Sequence, residues 1–299
     1  MKTPIFYKAF GMVVESEFPI AQLREISPQK PDVRICRGDL SGLTQEQRLF
    51  SGPQGCFFTG LDHCAHRITG GNLIEVDPGE DYDLPKLGVY LMGTCMGAVM
   101  YQRGIMMLHG SCVTDGQRAI LLTGDSGAGK STLAAEFLRR GWRLITDDVS
   151  ALHDVEGIPM VQSSYPSQKL WQDALDRYDR PQEDIHSLYL AGSREKFGVD
   201  VSRYFYDGRA RLRMVVRLLP GEADCHLEPI DGMTKVDQLM RNTYRRELIE
   251  PHNLQRHFQR CVTLSTKIPM AAVTRTHGED CAGRMYALII NYLEEQSHD

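Results

Sequence analysis

Residues 119–150 read AILLTGDSGAGKSTLAAEFLRRGWRLITDDVS. Within them, Gly124-Asp125-Ser126-Gly127-Ala128-Gly129-Lys130-Ser131 fits the pattern G-x-x-x-x-G-K-[ST] without departure. The apolar run Ala119–Thr123 predicts a buried strand before the loop, and Ser131–Arg140, with Thr132 in its first turn, predicts a helix after it. Glycines let successive backbone N–H groups turn inward around phosphate oxygens, and the helix N-terminus adds partial positive charge. Lys130 is placed to reach the β- and γ-phosphates, and Ser131 to offer its hydroxyl to Mg²⁺. A chance glycine-rich turn is the competing reading, and the intact Lys-Ser with both flanks weighs against it. The stretch is expected to hold a nucleoside triphosphate with Mg²⁺.

A second apolar run, Trp142–Ile145, meets Asp147-Asp148 only seventeen residues after Lys130, with Gly141 suited to close the intervening helix. Such a strand carries the carboxylates to its C-terminal end, where ligands collect in open α/β sheets. Neighbouring strand residues point to opposite faces, so both aspartates line one site only if the strand ends there. One carboxylate on the metal and one accepting a hydroxyl proton meet the needs of phosphoryl transfer to an alcohol. The bland alternative is a solvated Asp-Asp turn. His109, one strand upstream, is expected either as a core histidine or as a partner of a carboxylate.

Working outward, the chain has 299 residues, 42% of them hydrophobic, which is enough for a sizeable core. With 34 Lys+Arg against 39 Asp+Glu, no basic excess exists to drive nucleic-acid binding. Residues 1–90 carry short alternating runs broken by Gly-Pro, Gly-Gly and Asp-Pro-Gly, and are expected as a small β-rich unit. Residues 91–299 are expected as the α/β catalytic domain, ending in an amphipathic helix over Cys281–Gln296. Gly88–Tyr101 is too short to span a bilayer, and the start has no apolar signal-peptide core. Eight cysteines without a C-x-x-C pair suit a reducing compartment, so a cytoplasmic location and no membrane partner are expected.

Leu108–Val113 (LHGSCV), Leu121–Leu133 (LLTGDSGAGKSTL) and Arg140–Val149 (RGWRLITDDV), in that order, resemble the catalytic core of the HPr kinase/phosphorylase family. The resemblance implies a P-loop kinase domain of the HPr kinase/phosphoenolpyruvate carboxykinase type behind the β-rich unit, with ATP as its nucleotide. It further implies that Asp147 is the base toward a substrate serine, that Asp148 lies beside the metal, and that His109 contacts the acidic pair or phosphate. The N-terminal unit does not resemble that family's regulatory domain. The layout is more similar to HPr-kinase-like proteins of lasso-peptide clusters, through Phe10–Glu17 (FGMVVESE), Tyr90–Gly93 (YLMG) and Gln102-Arg103-Gly104 before Leu108-His109. That group implies a peptide or small-protein partner, with transfer to the C-terminal serine of a precursor peptide. Homo-oligomerisation is a further expectation of the family.

Two basic groups are candidates for the substrate or transition state. Arg194 and Lys196, in Ser193-Arg194-Glu195-Lys196, read either as a solvated charge run or as a mobile cationic loop closing over the γ-phosphate. Arg241 and Arg245 share a helical face at i,i+4 spacing, which suits a carboxylate clamp. His63-Cys64-x-His66 matches no common zinc spacing, and Gly93 with Gly97 suits close helix packing. Three rival activities stay open: HPr kinase proper, a phosphoenolpyruvate carboxykinase-like enzyme, and a nucleotide-switched binding module without transfer.

Overall fold

Alternation builds the first sheet. In β1 (Ile5–Ala9), β2 (Met12–Ser16), β3 (Val33–Arg37), β4 (Leu49–Gly52), β5 (Gly55–Thr59), β6 (Ala65–Thr69) and β7 (Leu73–Asp77), buried residues tend to recur at every second position. They assemble in the order β1-β2-β3-β7-β6-β5-β4. β1 turns into β2 through Phe10 and Gly11 at φ 54° and 71°, the two-residue geometry that matches strand twist. These features come from a computed structural model that describes residues 3–41, 49–60, 63–79, 82–171, 175, 185–191, 194–221, 224–276 and 281–296. Side chains are described at all of these except 171, 185–191 and 194–196.

A helical run follows. Asp83 caps α1 (Leu84–Tyr90) by accepting from the Lys86 amide, and Pro85 occupies the first turn, where its missing N–H costs nothing. The run continues through a π-helical segment, Leu91–Cys95, into α2 (Met96–Gln102). All five residues of the π segment are buried. A Cβ on Gly93 would lie 3.0 Å from Tyr244 Oη, and one on Gly97 3.1 Å from its ring, so the paired glycines serve close packing. The division expected at residue 90 falls inside this run.

The second sheet contains β8 (Met106–His109), β9 (Ser111–Thr114), β10 (Arg118–Thr123), β11 (Arg143–Thr146), β12 (Val149–Val155) and β13 (Ile158–Gln162). After a three-stranded patch of β14 (Ser167–Trp171), β15 (Ile185–Ala191) and β16 (Arg194–Asp200), it resumes with β17 (Arg209–Gly221), β18 (His226–Ile230) and β19 (Met270–Thr276). Its order is β11-β9-β10-β17-β13-β12-β8, with β19 beside the far half of β17 and β18 beyond it. The fold is mixed α/β. β10, β17 and β19 run parallel, and β11 is parallel to β10 because each is antiparallel to β9. Their C-terminal ends therefore share one edge.

The expected loop helix is α3 (Lys130–Arg139), and Gly141 at φ 88° ends its turn as anticipated. Leu133, Ala134, Phe137 and Leu138 of α3 pack on Ile120, Leu122 and Val216. Each large apolar side chain buried there contributes roughly 1.5–3 kcal/mol. α4 (Met233–Arg241) and α5 (Leu254–Lys267) pack on each other, while α6 (Ala282–Glu295), the expected terminal helix, packs on α3.

One apolar cluster joins the two halves, running from Tyr7, Val14 and Ile74 through Leu91 and Met96 to Val149, Ala151 and Tyr165. At that junction the Phe10 amide donates to the Ser164 carbonyl at 2.9 Å, and the Phe10 ring meets Tyr165 edge-on. Among the described residues no helix is long and apolar enough to cross a membrane.

Candidate active site

β10 ends at Thr123 and the loop begins at once. Gly124, Gly127 and Gly129 adopt φ of 137°, 83° and 98°, which side-chain-bearing residues rarely take. A Cβ on Gly124 would lie 2.7 Å from the Leu218 carbonyl, so the loop rests directly on β17. Asp125, Ser126 and Gly127 form its exposed crest, while Ala128 is buried beneath. Lys130 reaches back across it, donating to the carbonyls of Gly124 at 2.8 Å and Asp125 at 3.1 Å. Ser131 and Thr132 open α3 just inside. The glycines leave the loop bare of side chains where phosphate oxygens would sit, and the hydroxyl and carboxylate oxygens nearby are hard donors of the kind Mg²⁺ takes. The residues present therefore fit a magnesium-bound triphosphate.

The strand ahead of the aspartates ends where the pleat requires. β11 stops at Thr146, and Asp148 takes φ 71°, a left-handed conformation that aspartate tolerates better than most residues. Both carboxylates thus escape strand alternation. The Ser111 hydroxyl donates to Asp147 Oδ1, the Ser131 hydroxyl lies 3.5 Å from the same oxygen, and the Lys169 amide donates to Oδ2 at 2.7 Å. Asp148 instead meets His109 Nδ1 at 3.5 Å through Oδ1 and the Lys169 ammonium at 2.6 Å through Oδ2.

His109 and Ser111 straddle Gly110, so each flank serves one aspartate. A Cβ on Gly110 would lie 2.5 Å from the Leu122 carbonyl, which only glycine permits. The Gly110 amide also donates to the Asp148 carbonyl at 3.1 Å. His109 is held below its ordinary pKa by burial and Lys130, against the pull of Asp148, so its imidazole is neutral at pH 7. Burial alone would depress Lys169, but the Asp148 carboxylate at 2.6 Å more than offsets it and keeps the ammonium charged. Burial beside Asp148 pushes Tyr244 up to about 12, so this ring near His109 stays a neutral phenol.

Most of the expected residues converge here: the loop Gly124–Lys130, Ser131, Thr132, His109, Asp147 and Asp148. The two aspartates meet different partners. Asp147, expected as base, is the deeper one and faces Ser131; Asp148, expected beside the metal, faces His109 and the open side.

Other expectations need correcting. α4 ends at Arg241, and Arg245 lies past it at φ 39°, so the two arginines share no helical face. Arg241 pairs with Asp237 on its own helix at 2.7 Å, and Arg245 with Glu247 at 3.5 Å. Arg194 and Lys196 fall in β16, a strand hydrogen-bonded on both sides rather than a loop, and their side chains lie outside the described residues, as does Ser193. Among the described residues no three His, Cys, Asp or Glu side chains converge as a metal cluster. Cys64 donates to the Pro78 carbonyl and His66 stacks on Phe58.

Sequence reading overlooked Lys169 and Gln168. Gln168 donates to the Ser131 carbonyl at 3.1 Å, so adjacent residues of β14 touch the loop helix and both aspartates. No local motif marks them. Only their position after Tyr165-Pro166, in a strand crossing the site, sets them apart.

Residues 104–170 match the family model for the HPr Serine kinase C-terminal domain. Over 50 residues the chain is 48% identical to HPr kinase/phosphorylase of Clostridium beijerinckii, covering 17% of each chain. Over 75 residues it is 41% identical to HPr kinase/phosphorylase of Limosilactobacillus reuteri, covering 23% of each. The chain thus spans less than a quarter of these relatives' length. A solved HPr(Ser) kinase/phosphatase from Coxiella burnetii aligns with 64% of this chain and 93% of its own, at 13% identity and a TM-score of 0.37. Across the matched segment the chain is HPr kinase-like.

Proposed function

We propose that this protein transfers the terminal phosphoryl group of ATP to a serine hydroxyl of a peptide or small protein, with Mg²⁺, in the cytoplasm. The observation that carries this reading is the pairing of the two carboxylates with opposite neighbours: Asp147 with the loop-helix hydroxyl of Ser131, Asp148 with His109. The matched HPr kinase-like segment and the bare loop support it.

In this mechanism the loop amides, Lys130 and the start of α3 hold the triphosphate. Ser131 and Asp147 would hold Mg²⁺, which would neutralise phosphate charge when bound. Asp148 orients the acceptor hydroxyl and takes its proton, and Lys169 fixes the carboxylate that does so. His109, neutral, lines the same side. Because phosphoryl transfer passes through a loose transition state, positioning and charge stabilisation outweigh base strength.

The acceptor is the C-terminal serine of a lasso-type precursor peptide, a reading supported by the Phe10–Glu17, Tyr90–Gly93 and Gln102–His109 resemblance. HPr is the second reading, favoured by the HPr kinase/phosphorylases matched above. Incubation with ATP and Mg²⁺ and either HPr or a precursor peptide, followed by intact-mass and fragmentation spectrometry, decides between them. A gain of one phosphate on the peptide serine is the expected result, phosphate on HPr alone moves the assignment to the second reading, and no phosphorylated product removes both.

A further inference from the structure

One cation beside the loop has no part in the mechanism above. Arg275 sits near the C-terminal end of β19, paired in register with Pro220 of β17, on the edge where β10 delivers the loop. In the sheet order the aspartates follow β11 on one side of β10, and β19 lies on the other. The loop leans toward that second side, because Gly124 rests on Leu218 and Leu218 pairs with Val273 of β19.

The arginine lies along the loop mouth. A Cβ on Gly129 would be 3.2 Å from Arg275 Nη1, 3.9 Å from Cζ and 4.0 Å from Cδ. Its Nε is buried and has no hydrogen-bond partner among the described residues, where no ion pair engages its guanidinium either. A buried guanidinium N–H without an acceptor is costly, and a planar fork of donors matches phosphate oxygens. Gly129 carries no side chain at the point where such oxygens would approach α3.

Resting on the kinase reading, we infer that Arg275 is a nucleotide-binding residue. Its guanidinium clasps the phosphates that stay with the nucleoside, from the side of the loop opposite the aspartates. The leaving diphosphate is then held by Lys130 and Arg275, while the acceptor side depends on Asp148 and Lys169.

Calorimetric titration of the full chain with ADP and ATP, in Mg²⁺, tests this for wild type, Arg275→Gln, Arg275→Lys and Lys130→Ala. Arg275→Gln is expected to weaken ADP and ATP alike by about tenfold or more, with Arg275→Lys between it and wild type. The melting temperature without nucleotide checks that each variant is folded, and if Arg275→Gln fails that check the Arg275→Lys comparison stands in its place. Equal affinities for wild type and the Arg275 variants overturn the inference while leaving the kinase reading intact. A loss for ATP alone overturns it too, by moving the contact to the terminal phosphate. A wild type that binds neither nucleotide sinks both.

Discussion

Asp147 and Asp148 are adjacent in sequence and separate in chemistry, so their neutral isosteres report different things. Asp147→Asn is expected to weaken Mg²⁺-nucleotide binding together with turnover, because its carboxylate shares an environment with Ser131. Asp148→Asn is expected to bind nucleotide as wild type does and to lose roughly 10²–10⁴ in turnover, the usual share of a positioned acid–base group. Nucleotide titration beside an initial-rate assay checks both; the reverse pattern restores the order implied by family resemblance. Lys169 adds a stability test. Removing one partner of a largely buried ion pair leaves the other uncompensated, so Lys169→Met should cost on the order of 3 kcal/mol. The double variant Lys169→Met/Asp148→Asn should recover part of that loss in denaturant unfolding. Equal destabilisation of single and double variants would mean the pair does not couple.

At the scale of elements, the site is a meeting of strand ends. β8 and β9 hand over through Gly110 within 2.5 Å of a backbone carbonyl, as measured to the missing Cβ. Gly110→Ala must therefore move backbone, at a cost of about 2 kcal/mol, and it drags His109 and Ser111 off their aspartates. An unfolding midpoint lowered by that amount, with turnover reduced far more than nucleotide affinity, is the expected result. The elements were readable where chemistry is local: glycines before Lys130, an apolar run before the aspartates, helical spacing after Ser131. The i,i+4 spacing of Arg241 and Arg245 misled, because the helix closes at Asn242, whose amide and side chain both return to the Gln238 carbonyl. Lys169 and Arg275 stayed hidden for another reason. Both reach the site by non-local strand pairing, through β14 and β19, and no periodicity records which strand ends adjoin.

For the molecule as a whole, buried histidine sets an acid limit. His257, in α5, accepts or donates at 2.8 Å with Thr243 Oγ1, and burial, reinforced by Arg260 and Arg246, pushes it down to about 4 from an ordinary 6.5. The unfolded chain therefore binds this proton first as pH falls. Stability from this residue is complete above about 6.5 and drains away toward about 4, by up to about 3 kcal/mol. Thermal melts across that window should fall steadily, and His257→Gln should flatten part of the slope; an unchanged slope would show that other groups set it.

The shared apolar cluster has a further consequence. Phe10, at the tip of the first hairpin, is fastened to Ser164 and Tyr165, and Lys169 stands only five residues beyond Ser164. Load on that hairpin travels a short, stiff path to the ammonium gripping Asp148. Loosening the Phe10 anchor is therefore expected to disturb β14, the strand that carries this ammonium.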